Sequence, residues 1–240
     1  MITVSRYVVT VLAMALLAGC SSMGGFGTAE DSTESQAELA LDAASVLRLQ
    51  QSRPPEKRIP KEVIVNTKCI AVFPSIVKAG FIIGGRRGKG LISCRNGSGG
   101  WSQRAPAIYA LTGGSIGFQA GIQQSSLILL FQTQESINTL MQNEFELGAD
   151  IGVTAGPVGY HAHLASGAPG PVLAYMTSRE GLFAGVSLNG SVMSFDQSAN
   201  AEIYGTDSDP RSLLLSSHPV PPIMEPFSQA LESFVPASVE

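Results

Sequence analysis

The sequence predicts an α+β fold: one large, curled, mostly antiparallel sheet or barrel with a few helices packed on it. Three features predict it. Apolar, β-branched runs such as "CIAVF", "AIYALT", "LILLFQT", "VLAYMTS" and "SVMSF" recur through the chain between glycine or polar breaks. The connections between neighbouring runs are too short for helical crossovers, so the strands should pair mostly antiparallel. Apolar residues at helical spacing occur near both ends and once between, which gives the sheet helices to pack against.

The elements follow in order. Arg6 and the short apolar run "YVVTVLAMALLAG" form a targeting segment that stops at Cys20, too soon to span a bilayer and remain there. Leu17-Ala18-Gly19-Cys20 resembles a bacterial lipobox, so residues 1–19 are expected to be a signal peptide and Cys20 the lipidated first residue of the mature chain. No aspartate follows Cys20, which implies the outer membrane, facing the periplasm. Residues 20–36 hold too little apolar content to form a core and are expected to be a flexible tether, and residues 37–240 a single domain.

Within that domain, Ala37, Ala40, Leu41, Ala44 and Leu47 mark a first helix ended by Pro54-Pro55, and a second starts at Pro60. "CIAVF" is a buried strand that Pro74 terminates. "GFIIGGRRGKGLISCR", Gly80 to Arg95, reads as a hairpin whose tip is glycine and positive charge. It is not a P-loop, because Gly88-Lys89 is followed by Gly90 and Ile83 stands where the first glycine should be. Thr133 caps a helix with Ile137, Leu140, Met141 and Phe145 on one face and Gly148 past its end. Strands resume in "DIGVTA", "VGYHAHLA", "VLAYMTS", "LFAGVSL" and "SVMSF". A last helix carries Ile223, Phe227, Leu231 and Phe234. Glycine pairs four apart, Gly80/Gly84, Gly117/Gly121 and Gly181/Gly185, would open grooves along strands.

Tests for chemistry come out against an enzyme. Ser115 fits G-x-S-x-G, but a nucleophile elbow needs a helix after the serine, and "IGFQAGIQ" reads as strand. His161 and His163 share a strand face, yet no third ligand is near and His218 is distant, so no metal is expected. Asp207 and Asp209 in "TDSDPR" read as a turn, without the terminal glutamate of a calcium loop. No cofactor is implied. Cys69 and Cys94 on neighbouring strands either form a disulfide, which export permits, or serve as small buried hydrophobes.

The charge distribution is more informative. Between Arg48 and Arg104 stand twelve Lys or Arg against two acids, Glu56 and Glu62; from Ala105 onward there are two bases against twelve acids. Such asymmetry points to an anionic partner. Lys78, Arg86, Arg87, Lys89 and Arg95 are the candidate head-group contacts, with Lys57, Arg58, Lys61 and Lys68 as secondary basic contacts. Nucleic acid is a poor partner for an exported, acidic chain; lipid head groups suit it better.

"CIAVFPSIVKAGFIIGGRRGKGLIS", "GGWSQRAPAIYALTGGSIGFQAGIQQSSLILLF", "ELGADIGVTAGPVG" and "GLFAGVSLNGSVMSFDQSANAEIYG" together resemble the SYLF domain, from about Glu38 to Phe234. The resemblance implies a non-catalytic module that binds acidic phospholipid. Eukaryotic members bind phosphoinositides and, in yeast, actin, and place part of the lipid activity in an N-terminal amphipathic segment, here about residues 35–61. For an exported bacterial lipoprotein the expected ligands are acidic phospholipids such as phosphatidylglycerol or cardiolipin, or the phosphates of lipopolysaccharide. The alternative is an envelope structural or interaction protein that docks on an acidic protein or wall polymer.

Overall fold

The computed structural model describes residues 29–80, 83–96, 100–101, 104–116, 121–156, 170–178, 181–183 and 188–234. Cys20 and the signal segment, His161, His163, the "VGYHAHLA" strand, Gly117 and Gly185 lie outside them. Among the described residues, helices α1 (Ala29–Ser52) and α2 (Lys61–Asn66) precede strands β1 (Cys69–Gly80), β2 (Ile83–Cys94), β3 (Ala107–Ile116) and β4 (Gly121–Phe131). Helix α3 (Gln134–Leu140) leads to β5 (Glu144–Leu147), β6 (Val153–Ala155), β7 (Val172–Ser178), β8 (Gly181–Phe183) and β9 (Ser191–Phe195). Helices α4 (Gln197–Tyr204), α5 (Pro210–Leu215) and α6 (Glu225–Phe234) close the chain.

The strands form one sheet in the order β5-β9-β3-β2-β1-β4-β7-β6, with β8 beside β7. Every pairing between them is antiparallel except that of β6 with β7. The order itself requires curling. A flat sheet of eight strands would hold its outer strands about 34 Å apart. Yet Leu147 at the end of β5 and Val153 at the start of β6 are separated only by residues 148–152, a reach of at most about 20 Å. The sheet is therefore bent into a half-barrel, and the α+β expectation holds.

Both faces are covered. Inside the curl, Phe73, Ile92, Tyr109, Leu111, Leu129 and Phe131 pack with Leu140 of α3 and Leu213 and Leu214 of α5. On the outer face, Ile70, Val72, Leu91, Ile108, Ile128 and Leu130 lie with Ala40, Ala44 and Leu47 of α1, Ile64 of α2, and Phe227, Leu231 and Phe234 of α6. Alternate residues of one strand thus serve two cores, which is why the strands read as unbroken apolar runs.

Several local expectations change. Pro74 does not end β1; it sits in a bulge between Val72 and Ser75, after which the strand continues to Gly80. Nor is "RRGK" a hairpin tip. Arg86, Arg87 and Lys89 lie inside β2, paired with β1 on one side and β3 on the other. The glycines beside them answer to the bulge: a Cβ on Gly90 would stand 2.5 Å from the Phe73 ring, and one on Gly88 2.5 Å from the Ser75 carbonyl oxygen. The Gly-x-x-x-Gly pattern at Gly80 and Gly84 straddles the β1–β2 connection, where the two residues are register partners, and so opens no groove along a strand.

At the helices, α1 starts at Ala29, so residues 29–36 of the expected tether are helical. Helix α3 stops at Leu140, and Phe145 belongs to β5 with its side chain in the inner core. Gly148 follows that strand at φ 97°. Helices α4 and α5 were not expected. Asp209 is the N-cap of α5, accepting from the amides of Arg211 and Ser212 with Pro210 following, a cap rather than a simple turn. Cys69 and Cys94 are register partners and form a disulfide.

Candidate functional site: the cationic end of the central strands

The four central strands, β3-β2-β1-β4, run on past the cores to a common end. Glycine is paired with glycine there: Gly80 with Gly84 and Gly121, Gly85 with Gly114. Side chains at this end are mostly exposed, including Val77, Ala79, Arg87, Thr112, Ile122, Gln123 and Gln124.

Register assigns the faces. Lys78 is opposite Arg86, and Arg86 opposite Gly113, in the row that continues the inner core. Val77, Arg87 and Thr112 form the neighbouring row on the outer face. Arg86 is half-buried because its side chain crosses Gly113: a Cβ on Gly113 would meet Arg86 Cγ at 3.3 Å and Ser191 Oγ at 3.0 Å. Burial holds the Arg86 guanidinium below its usual pKa, though an arginine so placed stays charged. Lys78 and Arg86 thus lie on the inner face, and Arg87 on the outer face, of one exposed sheet end.

Two other candidate contacts are engaged in the fold. Lys89 Nζ is 2.8 Å from Asp196 Oδ2. Burial pushes the Asp196 carboxyl up, but hydrogen bonds from Lys89, the Ala199 amide and Ser198, with the Lys89 charge, bring it below its ordinary range. The same carboxylate caps α4. Arg95 donates from Nε to the Thr67 carbonyl at 2.7 Å and from Nη2 to those of Ile64 and Val65 at 3.2 Å, and its guanidinium lies 5.0 Å from the Trp101 ring centre. It closes the C-terminal end of α2 and is a structural residue.

The secondary set is at the opposite end of the sheet. Lys57, Arg58, Lys61 and Lys68 are exposed on the segment that enters β1 at Cys69. Arg58 Nε donates to the Arg53 carbonyl. Lys78 lies ten positions beyond Lys68 along the chain, about 30 Å of strand. The basic half of the sequence is therefore two clusters, one at each end of the β1–β2 pair.

Ser115 is an interior residue of β3, opposite Gly84, and the next described residues are strand β4. That is not the strand–turn–helix of a nucleophile elbow. Among the described residues, no three His, Cys, Asp or Glu side chains gather as a metal cluster, and no helix is long and apolar enough to cross a membrane. The apolar side of α1 is spent on the outer core, where Ala40, Ala43, Ala44 and Leu47 are fully buried.

Three residues escaped sequence reasoning. Asp196 neutralises Lys89, and its sign was an Asp directly before a short helix, the usual N-cap. Val77 and Ile122 are 40% and 78% exposed. The hint for Ile122 was its polar setting in "GIQQSS", which gives a strand nothing to bury on either side.

The family described as "Ysc84: Las17-binding protein actin regulator" matches residues 112–234, so Lys78, Arg86 and Arg87 fall outside the matched segment. Similar proteins include LAS seventeen-binding protein 3 of Saccharomyces cerevisiae, 33% identical over 195 residues, covering 79% of this chain and 42% of that protein. Protein YSC84 of the same yeast is 33% identical over 180 residues, 73% of this chain and 38% of its own length. The human SH3 domain-containing YSC84-like protein 1 is 32% identical over 202 residues, 81% of this chain and 58% of its own length. The chain thus spans roughly two-fifths to three-fifths of these relatives.

Proposed function

This chain belongs to the Ysc84 (SYLF) domain family, and we propose on that premise that it is a non-catalytic, lipid-anchored protein of the bacterial envelope that binds acidic phospholipid head groups. One observation carries the reading: Lys78 and Arg86 on the inner face and Arg87 on the outer face share one solvent-exposed, glycine-paired sheet end. Each base near an anionic bilayer contributes about 1 kcal/mol, so three supply roughly a hundredfold in affinity. Narrow glycine rows let a broad head group approach the backbone.

Two features support the anchor and the compartment. The lipobox-like Leu17-Ala18-Gly19-Cys20 offers an acylation site. The Cys69–Cys94 disulfide suits an oxidising compartment such as the periplasm. Two or three acyl chains already hold a protein in its membrane. The cations then select the lipid, or reach an opposing layer, phosphatidylglycerol, cardiolipin and lipopolysaccharide phosphates being the candidate anions.

A second reading has its own support. The yeast relative's name describes it as binding LAS seventeen. The same cations would then dock on an acidic envelope protein or wall polymer. Co-sedimentation of the chain from Ser21 with neutral and with acidic vesicles separates the two. Salt-sensitive binding to acidic vesicles alone is expected. Absence of binding to any vesicle, with retention on an acidic protein or glycan, would transfer the function to the second reading.

A further inference from the structure

Among the described residues, cations occupy both faces of the projecting strands, but exposed apolar side chains occupy one. Val77 and Ile122, 40% and 78% exposed, both lie on the outer face: Val77 is opposite Gln124, and Ile122 opposite Ala79, two residues along the same pair of strands. Arg87 is the register partner of Val77 on the other side and is itself exposed. A bare isoleucine alone is unremarkable. Here two apolar side chains and a cation adjoin on a sheet surface whose helices pack elsewhere, over Ile70, Val72, Leu91 and Ile128. The acid in the Arg87 row is Glu146, three strands away through Thr112 and Val192.

We infer that this outer face is the surface that lies on the bilayer, with Ile122 and Val77 entering the acyl boundary and Arg87 on the head-group phosphates. The inference rests on the lipid reading above and adds an orientation to it. The occupant is an anionic bilayer because the patch needs both an apolar layer and a plane of negative charge directly above it. Neighbouring strands are about 4.8 Å apart, and an arginine stem lies along apolar surface while its head stays at the polar boundary. Arg87 can therefore keep a phosphate contact while Val77 beside it is submerged. Lys78 and Arg86, on the inner face, attract the membrane without touching its apolar part.

Alternation along β4 provides the test. The chain from Ser21, which lacks the acylation site and the apolar segment before it, is mixed with vesicles whose acyl chains are brominated, made of phosphatidylcholine alone or with phosphatidylglycerol, and tryptophan quenching and sedimentation are read on the same samples. Ile122→Trp and Gln123→Trp place probes on opposite faces of one exposed strand end, and the native Trp101 is buried and supplies the background. With acidic vesicles, tryptophan at 122 should be quenched well above background and tryptophan at 123 should not; neutral vesicles should quench neither. Ile122→Ser should weaken binding to acidic vesicles about tenfold, the loss expected for withdrawing most of one isoleucine from an apolar phase. Acid-dependent binding with equal quenching at 122 and 123, or with none at either, would overturn the outer-face contact and leave the head-group reading standing. Binding and quenching indifferent to phosphatidylglycerol would overturn both.

Discussion

Lys89 and Arg87 are two residues apart in β2, face the same side and do different work. Arg87 projects into solvent, whereas Lys89 holds Asp196, which in turn caps α4. Lys89→Met should therefore lower stability by up to about 1 kcal/mol and leave vesicle binding nearly unchanged; Arg87→Glu should do the reverse. Denaturant melts and vesicle sedimentation of both variants check this. The pair also has a pH signature. The Asp196 carboxyl is depressed below its ordinary range in the folded chain, so its contribution is fully present above about pH 5 and is lost as pH falls through the lower folded value. In Lys89→Met the stability profile below about pH 4 should be flatter than in the parent. Glycine positions separate just as sharply. Gly90→Ala, whose Cβ would meet Phe73 at 2.5 Å and the Val72 carbonyl oxygen at 2.6 Å, should cost about 1–3 kcal/mol. Gly114→Ala, with nothing within 4 Å, should stay within about 0.5 kcal/mol of the parent.

At the scale of elements, the sequence was legible wherever a segment's own residues decide its structure. The middle strands announced themselves because both faces are buried, and α6 because Phe227, Leu231 and Phe234 fall on one stripe that packs on the outer core. What misled was glycine with charge in "GGRRGKG", the usual mark of a tip. Its real cause is a bulge at Pro74 on a different strand, a long-range fit that no local pattern reports. Phe145 followed the helical stripe of α3 in sequence but belongs to β5, since its place is set by pairing with Met193. Helices α4 and α5 are short and held by caps more than by an apolar stripe, so periodicity passed over them. Asp209→Ala should then destabilise the chain by about 1 kcal/mol. Replacing both Cys69 and Cys94 by alanine should cost about 2–4 kcal/mol, since the bond closes a loop with a sequence separation of 25. Thermal or chemical denaturation reads both. Reduction should reproduce the second effect only after unfolding, because both cysteines are buried.

For the whole molecule, the charge asymmetry was legible in the sequence but its layout was not. One basic half becomes two clusters about 30 Å apart once β1 and β2 extend as a single long pair, with Arg95 hydrogen-bonded to the end of α2 and Lys89 paired with Asp196. The central claim is that the end bearing Lys78, Arg86 and Arg87 is the lipid contact. Its most direct test compares two charge-reversed variants by sedimentation with phosphatidylglycerol vesicles. One carries Glu at 78, 86 and 87, the other Glu at 57, 58, 61 and 68, each verified as folded by its melting curve. The account predicts that the first variant loses binding by roughly a hundredfold and that the second, with one more charge reversed, loses far less. Equal losses, or the larger loss in the second variant, would contradict it.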